Sequence, residues 1–181
     1  MHEGADAREV RGEVEIAPLS VYWIDSGVLI GAKNGLYAPE LVPAFWTFIE
    51  TQLKNGNVRM PKKCFDEVTD GNDWLAKWCK QRKNVGHFCC KSSARDVQQH
   101  YATVAAHVMN KYPQHAAAEF LKGGDGWVIA HAAASGGFVV TEELRNKYKS
   151  KVKIPIISKD LRVTWKATHE MCKELGGFGN G

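Results

Sequence analysis

The sequence predicts an α/β fold: a short-stranded, mainly parallel sheet covered by helices on both faces. Three observations point there. Strand-like and helix-like segments alternate along the chain, the strand candidates are short and wholly apolar, and no repeat or linker divides the 181 residues. Strands that are apolar on both faces belong in a sheet buried on both sides. At 44% hydrophobic and 24% charged residues, the composition is that of an ordinary globular domain. Residues 1–19 show no sustained period and read as an N-terminal arm, and residues 20–181 read as one domain with a basic C-terminal segment.

The segments follow in order. Val21-Tyr22-Trp23-Ile24 is a β-branched and aromatic run that ends in Asp25 and turns at Ser26-Gly27. Val28 to Lys33 suits a short helix stopped by Asn34-Gly35, and residues 40–54 carry a broad apolar face at helical spacing. Val58-Arg59-Met60 predicts a strand, and Pro61 a first helical residue before Cys64 to Thr69. Asp73 predicts an N-cap for the helix bearing Trp74, Leu75 and Trp78. His87-Phe88-Cys89 is a third strand candidate. A long helix is expected from Asp96 to Tyr112, then an Ala-rich helix, then a buried helix over Trp127 to Ala134. Phe138-Val139-Val140-Thr141 is a clear strand, an extended basic stretch follows, and a last helix is expected over Lys166 to Leu175.

The net charge of +4 is unevenly spread. Residues 1–20 hold five acids against two arginines, whereas the last 37 residues hold nine Lys or Arg against three acids. A one-sided basic segment suits a polyanionic partner as well as a solvated face. Five cysteines at irregular spacing, with no C-x-x-C pair, do not form a disulfide framework. The expected state is free thiols in a reducing cytoplasm. No apolar stretch approaches the ~20 residues of a membrane span, so no membrane partner is expected. His100 and His107 share a helix face, but a zinc site would lack a third ligand. Most of the six Trp lie in apolar periodic segments and read as core.

In an open parallel sheet, ligands sit beyond the carboxyl ends of the strands. The residues found there are acids: Asp25 after the first strand, and Glu142 and Glu143 after Thr141. Glu67 lies in the helix after Val58–Met60, and Asp125 opens the helix leading to Phe138. No Gly-rich phosphate loop is present. Clustered carboxylates are driven toward protonation unless a cation compensates them, and Mg²⁺ or Mn²⁺ prefers such oxygen donors. A divalent ion at such a cluster acidifies water for attack on a phosphodiester and neutralises the leaving oxygen. Plainer readings stand beside this one: Asp125 as a helix N-cap and Glu67 as a surface residue. Asp25 ends an apolar strand and needs a specific partner.

Tyr22-Trp23-Ile24-Asp25-Ser26-Gly27-Val28 resembles the opening of a PIN domain, in which a hydrophobic strand delivers Asp and then Ser or Thr. Pro61-Lys62-Lys63-Cys64-Phe65-Asp66-Glu67-Val68 is similar to the family's middle motif. Gly124-Asp125-Gly126-Trp127, then Val139-Val140-Thr141-Glu142-Glu143, resemble its later motifs. Lys151-Val152-Lys153-Ile154-Pro155 resembles a less characterised bacterial PIN subgroup. The resemblance implies a three-layer α/β/α sandwich and a Mg²⁺- or Mn²⁺-dependent ribonuclease, frequently the VapC-like toxin of a type II toxin–antitoxin pair. It would make Asp25, Glu67, Asp125 and Glu143 the metal-binding acids, with Ser26 orienting Asp25 or a water held at the metal. Glu142 competes with Glu143 for the fourth place. The implied partners are an RNA substrate, a cognate antitoxin and a second copy of the chain. Gly27 stands where the family often has a polar residue, and the fourth acid is Glu where Asp is common. Both departures leave open a catalytically weak module that binds RNA or a protein without cutting.

Arg145, Lys147, Lys149, Lys151 and Lys153 occupy alternate positions, so in an extended chain all five project from one face. Such a row either grips RNA phosphates beside the acids or guards an exposed strand edge against aggregation. If it grips RNA, replacing Lys147, Lys149 and Lys151 together by Ala weakens RNA binding and flattens its salt dependence. Unchanged affinity across a salt titration would assign the row to edge protection.

Overall fold

The computed structural model describes residues 20–143 and 151–178. The acidic arm and Arg145, Lys147 and Lys149 lie outside the described residues. Five strands form one parallel sheet: β1 (Tyr22–Ile24), β2 (Val58–Pro61), β3 (Cys89–Cys90), β4 (Phe138–Val140) and β5 (Trp165–Lys166), in the order β3-β2-β1-β4-β5. Tyr22, Trp23 and Ile24 pair in register with Phe138, Val139 and Val140. The order reverses between β1 and β4, and that reversal opens a crevice beyond their carboxyl ends.

Nine helices connect and cover these strands among the described residues: α1 (Ser26–Asn34), α2 (Pro43–Lys54), α3 (Lys62–Thr69), α4 (Trp74–Arg82), α5 (Arg95–Lys111), α6 (Gln114–Lys122), α7 (Asp125–Ser135), α8 (Ile154–Asp160) and α9 (Thr168–Glu174). Neighbouring side chains of β1 identify the two layers, because successive strand residues point to opposite faces. The Trp23 ring lies 4.4 Å from His131 of α7. The Tyr22 hydroxyl donates to Glu174 of α9 at 2.7 Å. Phe45 and Phe48 of α2 pack on Phe178, just past α9, which sets α2 on the α9 side. Tyr101 of α5 stacks on Trp127 of α7 at 3.7 Å. The α/β/α sandwich is therefore present, with Ile24, Val58, Met60, Val139 and Val140 fully buried at its centre.

Local chemistry explains the helix ends. Asp25 and Asp73 cap α1 and α4 by accepting from the backbone N–H groups of Val28 and Ala76. Pro43 opens α2, and Gly136 closes α7 in the left-handed conformation.

Four expectations shift. Residues 85–87 form a 3₁₀ turn rather than leading into a strand at His87, because Gly86 and His87 both take positive φ. The third strand is displaced to Cys89–Cys90. Pro61 ends β2 as expected but is the N-cap of α3 rather than its first helical residue. The stretch after residue 150 is not simply extended: Pro155 starts α8, whose Ile154 and Ile157 are buried. The last helix begins at Thr168 because Trp165 and Lys166 pair with β4. Trp74 is 43% exposed, unlike the buried Trp23, Trp46 and Trp78. The thiols of Cys64, Cys79, Cys89, Cys90 and Cys172 are free.

Gly86 and Gly136 both need a left-handed backbone, but only at Gly86 would a Cβ run into another strand of chain, the Leu53 carbonyl. Gly136→Ala should cost on the order of 1 kcal/mol and Gly86→Ala on the order of 3 kcal/mol. Equal urea midpoints for the two variants would contradict the packing of the 3₁₀ turn against the end of α2.

Candidate active site

Four acids reach the crevice from four separate segments. Asp25, the residue after β1, is 4% exposed, and its two carboxylate oxygens are used differently. Oδ1 accepts from the Val28 N–H at 2.9 Å, and Oδ2 accepts from the Thr141 hydroxyl at 2.5 Å. One oxygen thus caps α1 while the other ties β1 to the end of β4. Burial outweighs both hydrogen bonds and, with Glu143 and Glu142 nearby, pushes the Asp25 carboxyl up to about 7.

Asp125 is the first residue of α7. The N-cap position belongs to Gly124, so capping does not occupy the Asp125 side chain. Among the described residues no hydrogen bond reaches its carboxylate. Burial raises its pKa to about 7, the charges of Glu143, Asp25 and Glu67 push the same way, and Lys153 opposes them. The buried Cys64 thiol is raised by burial and then by Asp25, Glu67 and Asp125 in turn. All three carboxylates act on this one thiol, and Glu67 reaches the residue before Asp125 through the Gly124 N–H and the residue after Asp25 through the Ser26 hydroxyl.

Glu67 is exposed and bridges two segments: Oε2 accepts from the Ser26 hydroxyl at 2.8 Å, and Oε1 from the Gly124 N–H at 2.7 Å. That bridge depends on two glycines. A Cβ on Gly124 would overlap the Cys64 sulfur, and one on Gly123 would lie 3.3 Å from Glu67 Oε1. Ser26 is therefore turned to Glu67 rather than to Asp25.

Glu142 and Glu143 part company. Glu142 accepts from the Thr168 N–H at 2.8 Å, at the start of α9. Glu143 turns toward Asp125, and the two line a cavity of about 470 Å³ with His115, Glu119, Lys151 and Lys153. Both Glu143 oxygens are engaged, Oε1 by the Lys153 ammonium and Oε2 by the Ile154 N–H, each at 2.8 Å. Of the predicted basic row, Lys151 is exposed at this cavity, whereas Lys153 is turned inward onto Glu143.

The donor set fits a hard divalent cation in chemistry: carboxylate oxygens, two of them on groups whose pKa values are raised by burial and then by neighbouring acids. Mg²⁺ commonly takes only one or two carboxylates and fills its shell with water and substrate phosphate. Asp25 and Asp125 are the pair with that character. A larger protein cage is not assembled, since among the described residues no three His, Cys, Asp or Glu side chains are grouped to hold one ion. Glu67 and Glu143 are occupied by their present partners. His107 pairs instead with Asp160 at 2.9 Å.

The family model described as DUF4411, a domain of unknown function, matches residues 22–177, a span that includes all four acids and α8. The chain belongs to that family. No curated protein matches the sequence. Among solved structures, this DUF4411 chain is similar to VapBC2 from Rickettsia felis bound to a promoter DNA fragment, at 10% identity over 81% of this chain and 98% of that one, with a TM-score of 0.49. It is also similar to VapBC-1 from nontypeable Haemophilus influenzae, at 12% identity over 81% and 97% of the two chains, with a TM-score of 0.48. Among the described residues of this family member, no helix is long and apolar enough to cross a membrane.

Two participants are not singled out by the sequence. The Thr141 hydroxyl stands beside an acidic pair, the one signal that it could serve a buried carboxylate, and Cys64 carries none. Lys153 belongs to the predicted basic row, but its ion pair with Glu143 depends on the turn into α8.

An acid whose folded pKa lies above its unfolded value of about 4 makes the native state bind more protons than the unfolded state between roughly pH 4 and 7, so stability falls as pH rises through that window. Asp125 belongs to this class. In metal-free buffer the native Tm should fall from about pH 5 to about pH 7.5 more steeply than that of Asp125→Asn, which should melt higher at the upper pH. Parallel profiles for the two proteins would mean that burial and the neighbouring acids do not raise the Asp125 carboxyl.

Proposed function

We propose that this protein is a metal-dependent ribonuclease that hydrolyses RNA phosphodiester bonds with Mg²⁺ or Mn²⁺. The observation that carries the reading is the pair Asp25 and Asp125 at the strand-order reversal, with Asp125 and Glu143 lining an open cavity walled by Lys151 and Lys153. A divalent ion bound there would acidify the attacking water and offset charge on the leaving oxygen. Asp25 and Asp125 would hold the ion, and Glu67 would fix the Ser26 hydroxyl and the start of α7 around it. Lys151 stands where an RNA backbone would enter, and Thr141 keeps Asp25 oriented. The PIN resemblance extends this proposal to the toxin half of a type II toxin–antitoxin pair. Exposed Ile30, Leu36, Leu41 and Trp74 on and near α1 and α4 supply apolar surface that a protein partner would cover.

A second reading, binding without cleavage, is favoured by one observation: the Glu143 carboxylate is already neutralised by Lys153. The two readings separate on cleavage of single-stranded and structured RNA with Mn²⁺, comparing the native chain with Asp25→Asn. The ribonuclease reading expects the substitution to lower the rate by about 10²-fold or more. Equal degradation by both would place the activity elsewhere or in a contaminant, and no degradation by either, with RNA still bound, would favour the second reading.

A further inference from the structure

We propose that Lys153 is a fixed cation of this site that binds an RNA phosphate oxygen, and that Glu143 is its anchor rather than a metal ligand. The inference rests on the ribonuclease reading and specifies how the site grips its substrate: one divalent ion beside Asp25 and Asp125, and the Lys153 ammonium as the second positive charge.

The geometry of Glu143 comes first. Its two oxygens are bound by consecutive residues, Oε1 by Lys153 Nζ and Oε2 by the Ile154 N–H, each at 2.8 Å. Charge-assisted bonds of this kind are stronger than neutral ones, and the pair is half-shielded, with the two side chains 23% and 24% exposed. Recruiting Glu143 to a metal would leave it only the lone pairs beside these two bonds and would bring a divalent ion close to the Lys153 ammonium. The Glu143 N–H also donates to the Thr141 hydroxyl at 3.1 Å, and that hydroxyl donates to Asp25. Glu143 is thus tied on one side to the Asp25 system and on the other to the segment that carries Lys153.

Lys153 is fixed at its backbone as well. Its carbonyl accepts from the N–H groups of Ile156 and Ile157, each at 3.1 Å, at the start of α8. The next residues, Ile154, Pro155 and Ile157, are buried, so α8 holds the lysine stem in place. A surface lysine used only for solubility has neither constraint. The ammonium borders the same cavity as Asp125 and is the cation that opposes the rise in the Asp125 pKa. A phosphodiester entering that cavity carries its charge on two non-bridging oxygens. Lys153 would donate to one of them from a position that needs no reorganisation, the condition under which such a contact stabilises developing charge best. It passes no proton in this role.

The test uses the full chain and two binding readouts that do not depend on turnover. In calorimetry with Mn²⁺, the native protein and Glu143→Gln should each bind one ion with affinities within about threefold, while Asp125→Asn should weaken binding by about tenfold or more. A tenfold loss in Glu143→Gln, with its Tm retained, would make Glu143 a ligand and overturn the proposal. In metal-free buffer, Lys153→Met should bind a single-stranded oligoribonucleotide at least about fivefold more weakly, with a log–log salt slope reduced by about 0.7, and Lys153→Arg should restore most of both. If Lys153→Met lowers Tm but leaves affinity and slope unchanged, the lysine is merely structural and the proposal fails. The ribonuclease reading is scored separately, by cleavage in the native protein: loss of cleavage with these binding results intact would remove that reading and keep the Lys153–Glu143 assignment for a binding site.

Discussion

A carboxylate buried to 4% exposure is costly unless hydrogen bonds fix it, and the donors that fix Asp25 come from two different parts of the chain. The Val28 N–H belongs to the first turn of α1, and the Thr141 hydroxyl to the end of β4. The same side chain therefore ends a strand, starts a helix and joins the two central strands at the point where their order reverses. Neither donor restores the ordinary pKa, because burial dominates and the neighbouring glutamates add to it. What remains is a demand for positive charge at the carboxyl end of the sheet, and the surrounding residues answer it in different ways.

The approach of α7 to α3 adds a further acid to that demand. Asp125 comes close to the other acids only because the Gly123–Gly124 turn lets α7 begin against Cys64, where any side chain at residue 124 would collide with the sulfur. Glu67 then accepts the Gly124 N–H, a group left without an intrahelical partner at a helix start. An anion at the N-terminus of α7 is favourable on its own account, so Glu67 stabilises the turn that places Asp125. Gly27 has a related place in the site: a Cβ there would stand 3.2 Å from Asp25 Oδ1. The missing side chain at Gly27 keeps that oxygen uncrowded.

Legibility in the sequence followed the range of the forces involved. The β1 strand, the Asp73 cap and α5 are specified by neighbours in the chain, through an apolar run, a side chain three residues from its N–H partner, and a helical apolar face. These were readable. The third strand slipped because His87 adopts a positive φ that its residue type does not announce. The two-residue β5 strand exists only because β4 offers an unpaired edge, and α8 hid behind an Ile-rich run of the kind that usually signals extended chain. At the site, residue type was legible and orientation was not. Spacing identified four acids, but it could not separate Glu142, which faces the start of α9, from Glu143, which faces Asp125. Adjacent residues after a strand diverge, and which one turns inward depends on the segment arriving 11 residues later at Ile154.

That arriving segment changes how the charge division of the chain is understood. By sequence, the body of the domain is close to neutral and carries the four candidate acids, while the basic excess lies apart from them in the last 37 residues. In the fold the basic segment reaches the acidic crevice where Lys153 enters it and Lys151 stays at its mouth. A lone ammonium partly neutralises Glu143 but leaves Asp25 and Asp125 raised to about 7. The internal countercharge is thus sufficient to order the Glu143 side and insufficient for the aspartate side. On the proposed ribonuclease reading, a small cation and a polyanion would bind such a site better together than either alone, because each supplies the charge that the other's binding surface lacks.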